Sequence, residues 1–211
     1  GTFHGLCNRF LRAHWKLAGL PQSFQILDTA DSLSAVKRVM KAMNVDEERF
    51  VPKQVTWFIA GSKEDGLRPR DVEVRDEQTR KLVEIYQAYE DQCQREGVVD
   101  FAELMLRTYE LMRDNAVLRE HYQHRFRHVL VDEFQDTSPI QMAIFLKLIA
   151  LSKAVIWVGD PKQAIYGFRG AMASSMAELA NEFSMRTLPL TISVTRVQSI
   201  LASMVCITLA G

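Results

Sequence analysis

The sequence has few cysteines, no long apolar run and no excess of charge. Three cysteines among 211 residues, with no C-x-x-C pair, argue against a disulfide scaffold or a zinc site and fit a reducing, intracellular setting. No apolar run reaches the ~20 residues of a membrane-spanning helix, and no charged-then-apolar leader opens the chain. We therefore expect a cytoplasmic protein without membrane contacts.

The charge balance excludes a strongly basic or strongly acidic protein. The 26 basic residues match 26 acidic ones, and hydrophobic residues make up 47% of the chain, as in a globular domain. Net charge therefore does not identify a nucleic-acid partner. Residues 1–20 nevertheless hold Arg9, Arg12 and Lys16 and no acid. This pattern fits either a solvated helix face or a nucleic-acid contact.

Most of residues 21–118 have the periodicity of amphipathic helices. Apolar residues three or four positions apart predict a helix over residues 77–96. Asp100 and Glu103 resemble a capping box that opens another helix. The lysine, aspartate, glycine and proline of residues 61–71 predict an exposed loop. We expect the whole stretch to form an all-α subdomain.

The pattern changes near His128, where two short apolar runs flank a predicted helix. Residues 129–131 and 154–158 are continuous apolar runs, as expected of strands buried on both faces. Ser138 and Pro139 predict the start of the intervening helix, with an N-cap followed by proline at the first helical position. A strand, a helix and a strand in about 30 residues predict a parallel βαβ unit, and hence an α/β fold.

Acidic residues follow both predicted strands, at the edge where open α/β sheets bind ligands. Asp132 and Glu133 follow the first strand, and Asp160 follows the second. One carboxylate there suits Mg²⁺, which prefers oxygen ligands, and a neighbouring one suits the activation of water. Adjacent residues on a strand point in opposite directions, so Asp132 and Glu133 share a site only if the chain turns there. The alternative is a solvated strand end.

Two longer strings around these strand ends resemble those of a known family. Residues 129–137 read VLVDEFQDT and residues 158–171 read VGDPKQAIYGFRGA. They resemble motifs II and III of the UvrD/Rep family of superfamily 1 DNA helicases. Residues 1–7 resemble motif Ia of that family, and residues 99–104 resemble a further string of it. The resemblance implies an ATP-dependent 3′-to-5′ DNA helicase.

The resemblance also implies roles for individual residues. Asp132 would serve the Mg²⁺ of bound ATP, and Glu133 would activate the water that attacks the γ-phosphate. Gln163 would sense the γ-phosphate, where an amide donates a hydrogen bond without adding a charge. Arg169 would contact a phosphate or bridge the two motifs. The residues implied to contact single-stranded DNA are Phe3, His4, Tyr166 and Phe168.

The same resemblance implies the domain organisation and the ligands. Residues 1–20 and 119–211 correspond to parts of a RecA-like motor domain of the P-loop NTPase class, called 1A. Residues 21–118 correspond to the helical insertion called 1B. The implied cofactors are ATP and Mg²⁺. The implied partners are single-stranded DNA, its junctions with duplex DNA, and repair or recombination proteins.

The sequence departs from the family in several places. It has no G-x-x-x-x-G-K-[ST] phosphate loop, which we expect upstream of Gly1, and no second motor domain. Those parts supply the positioning and charge neutralisation on which phosphoryl transfer depends, so we expect this chain to be inactive alone. Arg196 lies slightly out of register with the arginine of motif IV.

Two other interpretations stay open. One is a non-catalytic DNA-binding protein built on a degenerate motor domain, which a start codon without an upstream phosphate loop would support. The other is the helicase subunit of a RecB/AddA-like helicase–nuclease. Residues 160–163 resemble that branch, whereas residues 134–137 resemble UvrD-type helicases.

Overall fold

The structure, a computed structural model, describes residues 1–159, 180–181, 184–191 and 202–209. The chain forms two compact units, residues 1–111 and 112–211. Among the described residues, no helix is both long and apolar enough to cross a lipid bilayer. The helices are α1 Phe3–Ala13, α2 Thr29–Ala42, α3 Pro52–Glu64, α4 Glu77–Glu96, α5 Phe101–Asp114, α6 Ala116–Arg125 and α7 Pro139–Ile149. The strands are β1 Gln25–Leu27, β2 Val98–Asp100, β3 His128–Val131, β4 Ala154–Gly159, β5 Arg186–Thr191 and β6 Ala202–Leu209.

The core of the first unit lies where α2 packs against α3 and α4. Each of these helices turns one apolar face inward, as its periodicity predicts. Tyr86 and Tyr89 of α4 are almost fully buried and contribute the largest aromatic surfaces of this core. The other buried members are Ala35, Val36, Val39, Met40, Phe50, Val55, Ile59, Ile85 and Cys93.

The boundary between α4 and α5 depends on a glycine that ends α4 and an aspartate that caps α5. Gly97 ends α4 in the left-handed conformation, with φ at 66°. A Cβ atom at Gly97 would lie 2.7 Å from Cγ of Pro21, so a larger residue would clash as well as strain the backbone. Asp100 then caps α5, since its Oδ1 accepts a hydrogen bond from the backbone N–H of Glu103 at 2.7 Å. The predicted helix over 77–96 is confirmed, and so is the half of the predicted capping box in which Asp100 accepts a hydrogen bond from Glu103.

The prediction of an all-α subdomain over residues 21–118 needs correction. β1 pairs in parallel with β2, with Gln25 opposite Val98 and Leu27 opposite Asp100. Each strand is only three residues long. Periodicity did not reveal them because an apolar–polar alternation is recognisable only over about four to eight residues.

Residues 61–71 are only in part the exposed loop that their composition predicts, since residues 61–64 belong to α3 and Pro69–Asp71 form a single 3₁₀ turn. Lys63 lies in α3 and is 2% exposed. Its Nζ lies 2.8 Å from Oδ2 of Asp100 and 3.0 Å from Oε2 of Glu103. Arg68 donates two hydrogen bonds to Glu103, at 2.9 and 3.0 Å. The prediction is wrong for Lys63 and Arg68, because the composition of residues 61–71 does not show the carboxylates from other parts of the chain that pair with these two cations inside the fold. This buried charge cluster comprises Lys63, Arg68, Glu90, Asp100, Glu103, Arg107 and Glu110.

Attraction within the buried charge cluster outweighs the cost of burial for Lys63 and Glu103, whereas burial raises the pKa of Glu90. Burial by itself lowers the pKa of Lys63, but the carboxylates of Asp100 and Glu103 raise that pKa well above its ordinary value. Burial by itself raises the pKa of Glu103, but the cations of Lys63, Arg68 and Arg107 hold that pKa well below its ordinary value. Lys63 of α3 and Glu103 of α5 are therefore paired as ionised groups at neutral pH.

The predicted βαβ unit is confirmed in the second unit. β3 pairs in parallel with β4, with Val129 opposite Val155, and α7 lies between them in the sequence. Ser138 and Gln141 form a capping box at the start of α7, in which each side chain accepts a hydrogen bond from the other residue's backbone N–H. Pro139 occupies the first helical position, as predicted.

β3 is less buried than its apolar run predicts. Val131 is 9% exposed, but Leu130, which points to the other face, is 64% exposed. The sheet order β3-β4-β6-β5 places β3 at the edge of the described sheet. The expectation that β3 is buried on both faces is therefore wrong within the described part of the chain. An apolar run shows that the residues are apolar, but it does not show that other residues pack over both faces of the strand.

The expectation of a parallel sheet also needs correction. β6 lies antiparallel to both β4 and β5. Residues 192–201, which connect β5 to β6, are fewer than the dozen or more that a parallel crossover requires. The described sheet is therefore mixed, with the parallel pair β3–β4 on one side.

Candidate functional site

The chain turns sharply where β3 ends, and this turn carries Asp132 and Glu133. Glu133 has a left-handed backbone, with φ at 51° and ψ at 42°. Such a conformation is uncommon for a residue with a side chain and costs on the order of 1–3 kcal/mol. Because the chain turns at Glu133, side chains no longer point alternately to opposite faces, as they do along an extended strand. The two carboxylates therefore meet the condition for sharing one site.

Aromatic packing holds this turn against the sheet. Phe134 stacks on Trp157 of β4, with ring centroids 4.4 Å apart and ring planes 8° apart. Phe145 of α7 meets Trp157 edge-on, at a centroid distance of 5.8 Å. All three rings are almost fully buried. Offset and edge-on aromatic contacts of this kind are favourable beyond the area that they bury, so Phe134 anchors the turn that displays the two acids.

The carboxylates of Asp132 and Glu133 face solvent. Oδ1 of Asp132 accepts a hydrogen bond from the backbone N–H of Glu133 at 3.0 Å. Oε2 of Glu133 accepts a hydrogen bond from Nε2 of Gln135 at 2.6 Å. Within the part of the chain that the structure describes, each carboxylate keeps a second oxygen that is available to a metal ion or a water molecule.

The end of β4 approaches this turn closely. A Cβ atom on Gly159 would lie 2.5 Å from Oε1 of Gln135 and 3.2 Å from the backbone nitrogen of Phe134. Only glycine permits this approach without a displacement. Gln135 is 1% exposed and lies within the motif II-like string of residues 129–137, but the motif predicted no role for it. A second signal in the sequence is a glycine at the end of a predicted strand, which often marks a close approach of another backbone.

The donors at the end of β3 suit a magnesium ion. Mg²⁺ is bound by one or two carboxylates, keeps several waters and takes its other ligands from substrate phosphates. Asp132 offers a carboxylate oxygen of this kind. Among the described residues, no group of three or more histidine, cysteine or acidic side chains is placed to hold a metal ion. The carboxylate of Asp132 therefore fits a magnesium ion whose other ligands are water and the oxygens of a bound phosphate.

Phe3 and His4 lie in the first turn of α1, which Thr2 caps by accepting a hydrogen bond from the backbone N–H of Gly5 at 3.1 Å. The ring of His4 meets the ring of Phe101 edge-on, at a centroid distance of 5.6 Å. Partial burial lowers the pKa of His4, so its ring is neutral at pH 7. Phe101, which the motifs did not single out, is 45% exposed. This pair presents an aromatic edge to solvent.

The other residues with predicted roles lie outside the described residues. They are Gln163, Tyr166, Phe168, Arg169 and, for motif IV, Arg196. The structure places Asp132 and Glu133 at one strand end, and places Phe3 and His4 in α1 of the first unit. The roles of all these residues stay predictions.

Comparison with known proteins finds relatives over most of the chain. The profile of the UvrD/REP helicase N-terminal domain matches residues 1–184. DNA helicase II of Haemophilus influenzae is 47% identical over 191 residues, which are 90% of this chain and 26% of that protein. DNA helicase II of Escherichia coli K12 is 48% identical over 186 residues, 87% of this chain and 26% of that protein. ATP-dependent DNA helicase PcrA of Leuconostoc citreum is 34% identical over 184 residues, 86% of this chain and 25% of that protein. The chain therefore spans about a quarter of the length of the curated relatives that it matches.

Proposed function

Because the chain belongs to the UvrD/REP helicase family, we propose that it is part of an ATP-dependent DNA helicase. The observation that carries the proposal is the turn after β3, where Asp132 and Glu133 stand together at the carboxyl end of a parallel strand pair. Open α/β sheets bind their ligands at this edge. The names of the relatives as DNA helicases support the same function.

The proposed chemistry is hydrolysis of ATP at this strand end. Bound Mg·ATP supplies the phosphoryl group and the cation that neutralises its charge. Asp132 holds the magnesium ion through its available carboxylate oxygen. Glu133 would accept a proton at Oε1 from the attacking water, which must lie within about 2.6–3.2 Å of that atom. The water oxygen would bond to the γ-phosphorus as the bond to the departing ADP oxygen breaks. Gln163 and Arg169 donate hydrogen bonds to phosphate oxygens.

The proposed polymer is single-stranded DNA. Tyr166 and Phe168 stack on bases, and stacking accepts any sequence because every base has a π face. Phe3 and His4 contact the same strand, and the exposed edge of Phe101 beside His4 suits such a contact. Hydrolysis alternately tightens and loosens this grip, which moves the protein from 3′ to 5′ and opens duplex DNA at a junction. Repair or recombination proteins are the proposed protein partners.

The domain division remains part of the proposal. Residues 1–20 and 119–211 form the motor domain 1A, and residues 21–118 form the insertion 1B. The compact units of the structure divide at residue 111 instead. The proposed division follows the motor motifs, whereas residues 1–111 and 112–211 are each compact by themselves.

A chimera tests the proposed function. The matched part of this chain replaces the corresponding segment of the Haemophilus influenzae relative, which supplies the length that this chain does not span. We expect hydrolysis of ATP that single-stranded DNA stimulates, and unwinding of duplexes with a 3′ tail but not of duplexes with a 5′ tail. The unaltered relative is the control. A chimera that binds DNA but hydrolyses no ATP would contradict the proposal and favour a non-catalytic DNA-binding role.

Phe168→Ala in the chimera is expected to weaken single-strand binding by ~1–3 kcal/mol, because it removes one stacking ring. The loss should be similar for oligonucleotides of thymine, cytosine and adenine, measured by fluorescence anisotropy. Trp57→Ala is the matched control, since Trp57 is an aromatic residue that is 62% exposed and has no predicted DNA contact. A loss confined to one base type would argue against stacking.

A further inference from the structure

The amide of Gln135 is buried directly beside the carboxylate of Glu133. Gln135 is 1% exposed, and its Nε2 lies 2.6 Å from Oε2 of Glu133. An ionised carboxylate only accepts hydrogen bonds, so the nitrogen of the amide must face Glu133 and the oxygen must face away. The hydrogen bond is therefore directional and assisted by charge.

The carboxylate of Glu133 needs such a partner if it is to act as a base. Glu133 is exposed at the end of β3, and an exposed glutamate side chain samples several rotamers. A catalytic group must be held within about 0.5 Å of its working position, and side chains locked by packing provide that hold. Gln135 fixes Oε2, which leaves Oε1 available to accept a proton.

Gly159 determines where the amide of Gln135 lies. An ideal Cβ on Gly159 would lie 2.5 Å from Oε1 of Gln135 and 3.3 Å from its backbone nitrogen. The amide thus occupies space that any side chain at the end of β4 would fill. A change at Gly159 would therefore displace the amide from Glu133 without touching Glu133 itself.

We infer that Gln135, seated against Gly159, is a positioning residue that holds Glu133 for proton abstraction from water. This inference rests on the proposed function and adds two residues to its site. A purely structural role for Gln135, in which the amide only satisfies its own hydrogen bonds, predicts different kinetics. The two roles are distinguished by kcat and the melting temperature. A positioning role predicts a lower kcat with an unchanged KM for ATP, whereas a purely structural role predicts a lower melting temperature with an unchanged kcat.

The first test is Gln135→Met in the chimera, which keeps the length of the side chain but removes the donor. We expect kcat for ATP hydrolysis to fall about 10- to 100-fold, as for other partners that orient a functional ligand. KM for ATP and the melting temperature should stay near those of the unsubstituted chimera. Gln141→Met is the control, because Gln141 belongs to the capping box of α7 and does not contact Glu133. A lowered melting temperature with unchanged kcat would overturn the inference.

The second test asks whether Gln135 acts through Glu133. In a Glu133→Gln background, Gln135→Met should cause no further loss of residual turnover, since residues that act as a unit are not additive. Gly159→Ala should lower kcat by itself, yet should add nothing to Gln135→Met. Multiplicative losses in either pair would overturn the inference. If the unsubstituted chimera hydrolyses no ATP, the proposed function fails rather than this inference.

A measurement on the 211-residue chain tests the hydrogen bond between Gln135 and Glu133 and does not require ATP hydrolysis. In a nitrogen-15 spectrum, the side-chain amide protons of Gln135 should exchange slowly with solvent, and their resonances should shift on Glu133→Gln. The exposed Gln22 provides the comparison for a fully solvated amide. Exchange as fast as that of Gln22, or no shift on Glu133→Gln, would contradict the hydrogen bond.

Discussion

Glu133→Gln is expected to reduce ATP turnover in the chimera by about 10²- to 10⁴-fold while leaving nucleotide binding intact. The substitution keeps the shape of the side chain and the acceptor oxygen but removes the carboxylate that takes the proton from water, and a general base contributes a factor of this size. Turnover is measured with saturating single-stranded DNA, and binding is measured with a fluorescent ATP analogue.

Glu120→Gln is the matched control for Glu133→Gln. Glu120 lies in the same unit, on α6, and is exposed. We expect the control variant to keep the turnover of the parent chimera. Undiminished hydrolysis in Glu133→Gln would remove Glu133 from its role. A parallel loss of nucleotide affinity would instead indicate that Glu133 contributes to binding or folding.

Glu103→Gln is expected to destabilise the 211-residue chain by about 3–5 kcal/mol, because it removes the central anion of the buried charge cluster. Oε1 of Glu103 accepts a hydrogen bond from Arg107 at 2.7 Å, and Oε2 lies 3.0 Å from Nζ of Lys63. Arg68 contacts both oxygens. A neutral amide would take from Lys63, Arg68 and Arg107 the carboxylate that contacts all three cations. The loss is measured by urea unfolding at pH 7.

Glu84→Gln provides the control for Glu103→Gln. Glu84 makes an exposed ion pair with Lys81 at 2.8 Å, and such pairs contribute about 0–1 kcal/mol. The pH dependence gives a second readout. Because its neighbours lower the pKa of Glu103, its stabilisation is present above the unfolded value of about 4.3 and is lost as pH falls below it. The slope of unfolding free energy below that pH should be shallower in Glu103→Gln. Equal losses in the two variants would contradict the account of the cluster.

Local rules predicted the features that depend on residues close in sequence. The caps at Asp100 and Ser138 involve residues within one turn of helix, and the helix over 77–96 follows from apolar spacings of three or four residues; all three are confirmed. The parallel pair β3–β4 followed from two apolar runs around one helix. The carboxylates at the end of β3 were found because a motif marks them.

Features that depend on distant partners were not predicted. Lys63 and Asp100 are 37 residues apart in sequence, and nothing local to residues 61–71 shows that their charges are neutralised inside the fold. The contact between Gln135 and Gly159 likewise joins two strand ends, and becomes visible only once β3 and β4 are paired. In both cases the sequence shows the residue type, whereas tertiary pairing determines whether that residue is buried and which group it meets.

The central claim is that the acids after β3 and the residues after β4 bind one magnesium–nucleotide complex. The most direct test is a crystal structure of the chimera with Mg²⁺ and a non-hydrolysable ATP analogue. The account predicts that the side chains of Asp132, Glu133 and Gln163 converge on the triphosphate, with Asp132 nearest the metal ion. A nucleotide bound elsewhere, with these three side chains pointing apart, would contradict it.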